Sequence, residues 1–163
     1  MTPETFIKQF LPVAEKVSDE TGIPALAMLT QAALETGWGT KVKRNNYFGI
    51  KGNDENRQLI RTREVLASPN KKFPKVYSIK KLASGKFEYD VKAWFTTYPN
   101  PIDSFRDYTA FLKRNKRYKK ALSKTIAKSF LIEVARAGYA SSENYEETVL
   151  KVLQSIIKRL QKI

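Results

Sequence analysis

The hydrophobic period changes twice along this chain, and that change limits the folds open to it. Near the N-terminus Phe6, Phe10, Val13 and Val17 recur at spacings of four, three and four, which places them on one helical face. Thr2 with Pro3 suits the N-cap and first position of that helix, and Gly22 suits its end. Pro24 then suits the first turn of a second helix, where Leu26, Leu29 and Ala33 keep the period until Gly37 and Gly39 stop it. From about residue 57 to 98 the period falls to two. Residues 58–66 and 73–79 are short β-branched and aromatic runs broken by Ser68-Pro69-Asn70, and 87–95 alternates apolar and polar after a Ser84-Gly85 turn. After Pro99-Asn100-Pro101 the helical period returns in Ile102, Phe105, Tyr108 and Leu112, with Asp103 or Ser104 as the expected cap. Shorter helices are expected over 116–125 and 128–137, with Gly138 as a stop. A last helix should carry Val149, Val152, Leu153, Ile156, Ile157, Leu160 and Ile163 on one stripe. The pattern predicts an α+β fold, mainly α, with a small antiparallel β-lobe set between two helical groups.

At 163 residues, 42% of them hydrophobic, the chain fits one folded domain spanning 1–163, without repeats or a linker. No apolar run approaches the roughly 18 residues a membrane-spanning helix needs. Met1-Thr2-Pro3-Glu4-Thr5 lacks the basic start and apolar core of a signal peptide, so the sequence reads as unprocessed.

Composition removes several chemistries. The chain has no His and no Cys, so it can form neither a Ser-His-Asp triad nor a Cys-His pair, a zinc site of N/S type or a disulfide. Proton transfer must come from Asp, Glu, Tyr or Lys, and neither cofactor nor metal is expected. Thirty Lys+Arg against 16 Asp+Glu give a net charge of +14, which attracts polyanions. Lys113, Arg114, Lys116, Arg117, Lys119, Lys120, Lys124 and Lys128 cluster, but no recognition helix or stacking platform accompanies them. Charge alone does not choose among nucleic acid, an anionic membrane and anionic wall polymers; the run reads most simply as a solvated basic face, with no nucleic-acid partner expected.

One octet concentrates the chemical signals. In Ala32-Ala33-Leu34-Glu35-Thr36-Gly37-Trp38-Gly39 an acid occupies the last turn of an apolar helix, ahead of a Gly-Trp-Gly bend. The helix dipole disfavours a negative charge there, but by only about 0.3–1 kcal/mol. That is less than the roughly 1.4 kcal/mol needed for one pH unit. A general acid working near neutrality wants a value of about 6, so burial against an apolar wall such as Trp38 must supply most of the displacement. The bland alternative is a solvated helix-end carboxylate before an ordinary glycine cap. Asn46-Tyr47-Phe48-Gly49 reads as an aromatic loop in which Phe48 plugs the core, Tyr47 lies nearer a binding groove, and Asn46 offers an amide. Trp94 and Tyr98 read as core or lobe-interface residues.

Leu34-Glu35-Thr36-Gly37-Trp38-Gly39, followed by Asn46-Tyr47-Phe48-Gly49-Ile50-Lys51-Gly52, resembles the bacterial endo-β-N-acetylglucosaminidase family. That family includes the glucosaminidase domain of the flagellar rod-assembly protein, autolysins and phage lysins. Tyr98 through Ser104-Phe105-Arg106-Asp107-Tyr108 with Leu112, and Ala137-Gly138-Tyr139-Ala140 with Asn144-Tyr145, extend the resemblance over about 5–160. It implies a lysozyme-like helical lobe, a β-lobe, and a groove between them for peptidoglycan glycan strands. It also implies hydrolysis of the β-1,4 bond between N-acetylglucosamine and N-acetylmuramic acid, by a monomer acting at the bacterial cell wall (extracellular or periplasmic). By resemblance Glu35 is the catalytic acid, Glu64 in Arg61-Thr62-Arg63-Glu64-Val65 the second carboxylate, and Tyr139 a tyrosine near the acid. Trp38, Asn46, Tyr47, Asp107 and Tyr145 are the candidate substrate-binding residues.

Glycoside cleavage agrees with those roles, since it usually takes one protonated carboxyl and one carboxylate. A separation of about 6.5–9.5 Å would admit a water and invert, one of about 5–5.5 Å would favour a covalent intermediate, and the substrate's N-acetyl group offers a third route. Asp54, Glu55, Glu88, Asp90 and Asp107 compete with Glu64 for the second role, Asp90 as a surface-strand acid and Asp107 as a structural acceptor. A non-catalytic glycan-binding module of the same fold is the alternative from another functional class.

Overall fold

The computed structural model describes residues 1–52 and 55–163, which divide into two units, one of 1–48 with 98–163 and one of 49–97. The first unit is helical: α1 (Pro3–Thr21), α2 (Ala25–Thr36), α3 (Pro101–Arg114), a 3-10 turn (Lys116–Tyr118), α4 (Lys119–Leu122), α5 (Ala127–Arg136) and α6 (Tyr145–Leu160). Thr2 caps α1 through its hydroxyl, which accepts from the Thr5 N–H at 3.1 Å, and Pro3 stands at the first turn as expected. Gly22 ends the helix at φ 77°, a conformation that costs a residue with a Cβ.

Helix α2 is the centre of this unit, packed by α1, α5 and α6. Ala27, Met28, Leu29, Thr30, Gln31, Ala32, Ala33 and Thr36 are all buried, and the alanines let neighbouring helices approach closely. An aromatic cluster fills the space between α1 and α3. Phe10 lies 4.8 Å from Phe6 and from Tyr47, and Phe48 stacks on Tyr108 at 4.1 Å while meeting Phe105 edge-on at 4.9 Å.

Three helical expectations change. Helix α3 starts on Asn100 without a side-chain cap; Asp103 sits in its first turn and Ser104 is buried, accepting from the Tyr47 N–H at 3.0 Å. Ser104 is drawn inward because the buried Tyr47 amide would otherwise lack a partner. The stripe of α6 is narrower than the sequence suggests. Tyr145, Val149, Leu153 and Ile156 are buried, whereas Ile157 is 39% exposed and Ile163 lies beyond the helix at 65%. Pro24 is the cap of α2 rather than a residue of its first turn.

The second unit is a three-stranded antiparallel sheet of order β1-β3-β2, from β1 (Arg57–Leu66), β2 (Lys75–Lys81) and β3 (Phe87–Thr96). The second strand begins two residues later than its aromatic run because Pro74 cannot donate to a ladder. The unit also reaches back to Gly49, where Lys51 bridges Phe95 and the Gly52 N–H donates to the Trp94 carbonyl. On one face Tyr89, Val91 and Ala93 are buried, paired in register with Glu64, Thr62 and Ile60. The opposite face carries Arg61, whose guanidinium forks onto Asp90 at 2.9 and 2.8 Å and covers Tyr77, and Arg57 over Trp94 at 4.1 Å.

Phe10 tests the aromatic cluster most simply. Phe10→Ala should lower unfolding stability by about 3–5 kcal/mol, read as a lower urea midpoint with an unchanged slope. A loss under about 1 kcal/mol would mean that the cluster collapses around the gap or was never tightly packed.

Candidate active site

Glu35 projects from the last turn of α2, where Gly37, Trp38 and Gly39 take φ values of 55°, 58° and 78° in succession. Thr36 ties this left-handed bend together. Its hydroxyl donates to the Ala32 carbonyl at 2.6 Å and accepts from the Gly39 N–H at 2.9 Å. The acid is therefore held at the end of a rigid, buried helix rather than on a loop.

Glu35 has an exposed surface, yet protein atoms crowd its carboxyl, and this desolvation pushes its pKa above the ordinary value of 4.5. A hydrogen bond opposes the shift: the Tyr145 hydroxyl donates to Oε1 at 3.2 Å, which favours the ionised form. Crowding is the larger effect. Tyr145 in turn accepts from Nε2 of Gln31 at 3.1 Å, and the Tyr108 hydroxyl donates to Oε1 of the same amide. Gln31 stands four residues before Glu35, on the same face of α2. Burial drives the hydroxyls of Tyr108, Tyr139 and Tyr145 well above the usual phenol value, so all three stay neutral donors at any working pH.

Tyr139 follows α5 across the Gly138 turn. Its ring stacks on that of Tyr145 at 6.0 Å and 25°, and its hydroxyl donates to the Phe48 carbonyl at 3.0 Å. The tyrosine in contact with the acid is thus Tyr145, with Tyr139 behind it. Gln31 and Tyr108 are participants that sequence reading missed. The available signal was an amide one helical turn before the acid, in an otherwise largely apolar helix.

The other sequence candidates scatter. The Trp38 ring meets Phe6 edge-on at 5.9 Å, with the Arg159 guanidinium 5.8 Å above it. Tyr47 is only 5% exposed, packed on Phe10 and Phe105, so it supports its loop from below and presents no stacking face. The aromatic cluster needed a large ring at this point, and that demand overrode the expected outward position. Asn46 is buried beside it. Asp107 accepts from the Tyr98 hydroxyl at 2.5 Å and pairs with Arg114 at 3.5 Å.

Glu64 lies on β1, its side chain 15% exposed, in an ion pair with Lys51. Among its competitors, Glu88 faces Arg63 at 3.7 Å, and Arg61 holds the Asp90 carboxyl below its ordinary value by hydrogen bonding. Glu55 is exposed, and Asp54 lies outside the described residues. In the basic cluster Lys113, Arg114, Lys116, Arg117, Lys119, Lys120 and Lys128 are exposed and Lys124 half-buried. Among the described residues no group of three or more acidic side chains could hold a metal ion, and no helix is long and apolar enough to cross a membrane.

A mainly helical fold with a small antiparallel sheet, and an acid crowded toward its protonated form at the end of a buried helix, is an arrangement that suits a glycoside hydrolase. More particularly, the chain belongs to the glucosaminidase family, described as mannosyl-glycoprotein endo-beta-N-acetylglucosaminidase, whose profile matches residues 11–158. It is 36% identical over 162 residues to the peptidoglycan hydrolase FlgJ of Vibrio parahaemolyticus, covering 95% of this chain and 48% of that protein. Against FlgJ of Pseudomonas aeruginosa the identity is 32% over 161 residues, with 94% and 36% covered. The chain thus spans half or less of the length of these relatives. The glycoside hydrolase domain of Salmonella typhimurium FlgJ superposes with a TM-score of 0.70 at 27% identity, covering 99% of this chain and 92% of that one. A peptidoglycan hydrolase mutant from Sphingomonas sp. A1 gives 0.74 at 26%, with 98% and 99% covered.

The opposed effects on Glu35 can be separated. Tyr145→Phe removes the hydrogen bond that favours the carboxylate and leaves the crowding, so the Glu35 midpoint should move to higher pH in a 13C NMR titration. A midpoint that stays in place or falls would show that Tyr145 does not donate to the acid.

Proposed function

We propose that this domain hydrolyses peptidoglycan glycan strands at the β-1,4 bond on the reducing side of N-acetylglucosamine, with Glu35 as the general acid. The observation that carries the reading is the crowded Glu35 carboxyl, displaced toward its protonated form while one oxygen is engaged by Tyr145. A protonated carboxyl can donate to the leaving glycosidic oxygen as the bond breaks. The FlgJ relatives are peptidoglycan hydrolases, which supports this substrate class and action at the wall, in the periplasm or outside the cell.

Glu64 is the proposed second carboxylate, as base or as stabiliser of the developing sugar cation. Its ion pair with Lys51 fixes the side chain's position on the strand. Tyr139 is proposed to act through Tyr145, whose ring it stacks upon. Trp38, Asn46 and Asp107 are proposed to shape the substrate-binding loops through their packing. The reaction is proposed to need no metal or cofactor, and the protein to act as a monomer without nucleic acid.

Purified peptidoglycan incubated with the protein should yield new reducing ends that mass spectrometry identifies as N-acetylglucosamine. Muramic acid termini would reassign the bond, and binding without new ends would make the domain a glycan-binding module. Glu35→Gln should cut the rate by at least about 100-fold, and Glu64→Gln by less. Full activity of Glu35→Gln would end the proposal; an unaltered Glu64→Gln enzyme would move the second role to another acid.

Stability adds a check with a definite sign. A carboxyl whose folded pKa is raised stabilises the fold below its unfolded value, and that contribution is lost as pH rises through the folded value. Glu35→Gln should therefore melt no lower than wild type at pH 7, and any advantage should vanish below about pH 4.5. A clear loss of melting temperature at neutrality would show that the ionised carboxylate is stabilised by its surroundings.

A further inference from the structure

We infer that Gln31 is a positioning residue that fixes which oxygen of Glu35 carries the transferable proton, holding it on Oε2 and away from Tyr145. The inference rests on Glu35 being the general acid, as proposed above.

The argument is one of hydrogen-bond polarity. Gln31 and Tyr108 are fully buried and Tyr145 is 7% exposed, so bulk water cannot readily rearrange their bonds. An amide nitrogen only donates, an amide oxygen only accepts, and a phenol has a single hydrogen. Nε2 of Gln31 donates to the Tyr145 oxygen at 3.1 Å, so that oxygen is already an acceptor and its hydrogen is directed onward to Oε1 of Glu35 at 3.2 Å. Oε1 thus receives a hydrogen whether or not the carboxyl is ionised. In the protonated acid the proton resides on Oε2, the oxygen that Tyr145 leaves free.

Turning the Gln31 amide over would reverse every bond. Its oxygen would take the Tyr145 hydrogen, the Tyr145 oxygen would accept from Glu35, and the acid's proton would point inward, unusable for a leaving group. Tyr108 opposes that state. Its hydroxyl donates to Oε1 of Gln31, and no other hydrogen bond of that hydroxyl is formed among the described residues. With the amide reversed, a fully buried hydroxyl hydrogen would face an NH2 group with nothing to accept it. Tyr108 itself is held by stacking on Phe48 at 4.1 Å and 12°. Among the described residues, Tyr108 of α3, Tyr139 after α5 and Tyr145 of α6 feel the charge of Glu35, and all three are neutral phenols, so polarity sets the proton's place.

Gln31→Met keeps the side-chain length and removes both polar atoms, freeing Tyr145 to accept from protonated Glu35. The basic limb of kcat/KM should then move to higher pH, and kcat at the optimum should fall by about tenfold or more. In a Tyr145→Phe background the same substitution should add nothing to either effect, because the relay is already cut. Tyr108→Phe keeps the ring on Phe48 and strips only the lock; it should shift the limb in the same direction by less, and it carries the test if Gln31→Met fails to fold. A limb that stays in place while the enzyme slows at all pH values, or a shift that persists without the Tyr145 hydroxyl, overturns the inference and leaves Gln31 as packing. Glu35→Gln separates the two readings. If that variant cleaves normally the general-acid assignment fails, whereas an inactive Glu35→Gln beside an unshifted Gln31→Met faults the relay alone.

Discussion

A carboxyl at the end of a helix buried on nearly every side is the constraint around which the helical unit is arranged. Most of α2 is inaccessible to solvent, and its small apolar residues let α1, α5 and α6 close upon it. The same packing that makes the helix stable crowds the one ionisable group it carries, and crowding disfavours charge. Among the described residues no cation relieves it. The neighbours supply neutral phenols and an amide, which can orient a proton without fixing a charge. Stability and the proposed chemistry are linked at this point, because a carboxyl that resists ionisation costs the fold something at neutral pH and would serve as the proposed general acid.

The periphery works in the opposite sense. Arg106 forks onto Glu20 between α3 and α1, Arg159 reaches Glu4 between α6 and α1, and Arg136 meets Glu146 between α5 and α6. Arg106 holds Glu20, and backbone hydrogen bonding together with Arg159 holds Glu4, below the ordinary carboxyl value. Their contribution is present above that value and disappears as pH falls through the depressed one, the reverse of Glu35. Exposed pairs of this kind are worth little singly and are screened by salt, so they align helices more than they stabilise them. The remaining excess of Lys and Arg leaves a cationic surface compatible with an anionic wall.

The elements were largely legible in the sequence because period and punctuation agree. Thr2-Pro3, Gly22 and Pro99-Asn100-Pro101 each mark a boundary for a local steric reason, and the period-two stretch of 87–95 became β3 almost unchanged. The unusual setting of Glu35 was legible too, as a carboxylate of unfavourable sign at a helix end. Partners contributed by distant segments were less so. Tyr145 and Tyr139 stand 110 and 104 residues beyond Glu35, and nothing local says which of them touches it. Tyr47 shows the reverse error: a loop aromatic suggests a sugar platform, but the core lacked a ring there and took it. Gln31 was hidden because a buried amide reads as a defect until its two partners are known.

The central claim is that position 35 keeps its proton to higher pH than an ordinary glutamate, and a site-specific 13C NMR titration of the wild-type carboxyl measures this directly. The account predicts a midpoint clearly above 4.5. A midpoint at or below that value, with the fold intact across the titration, would contradict it.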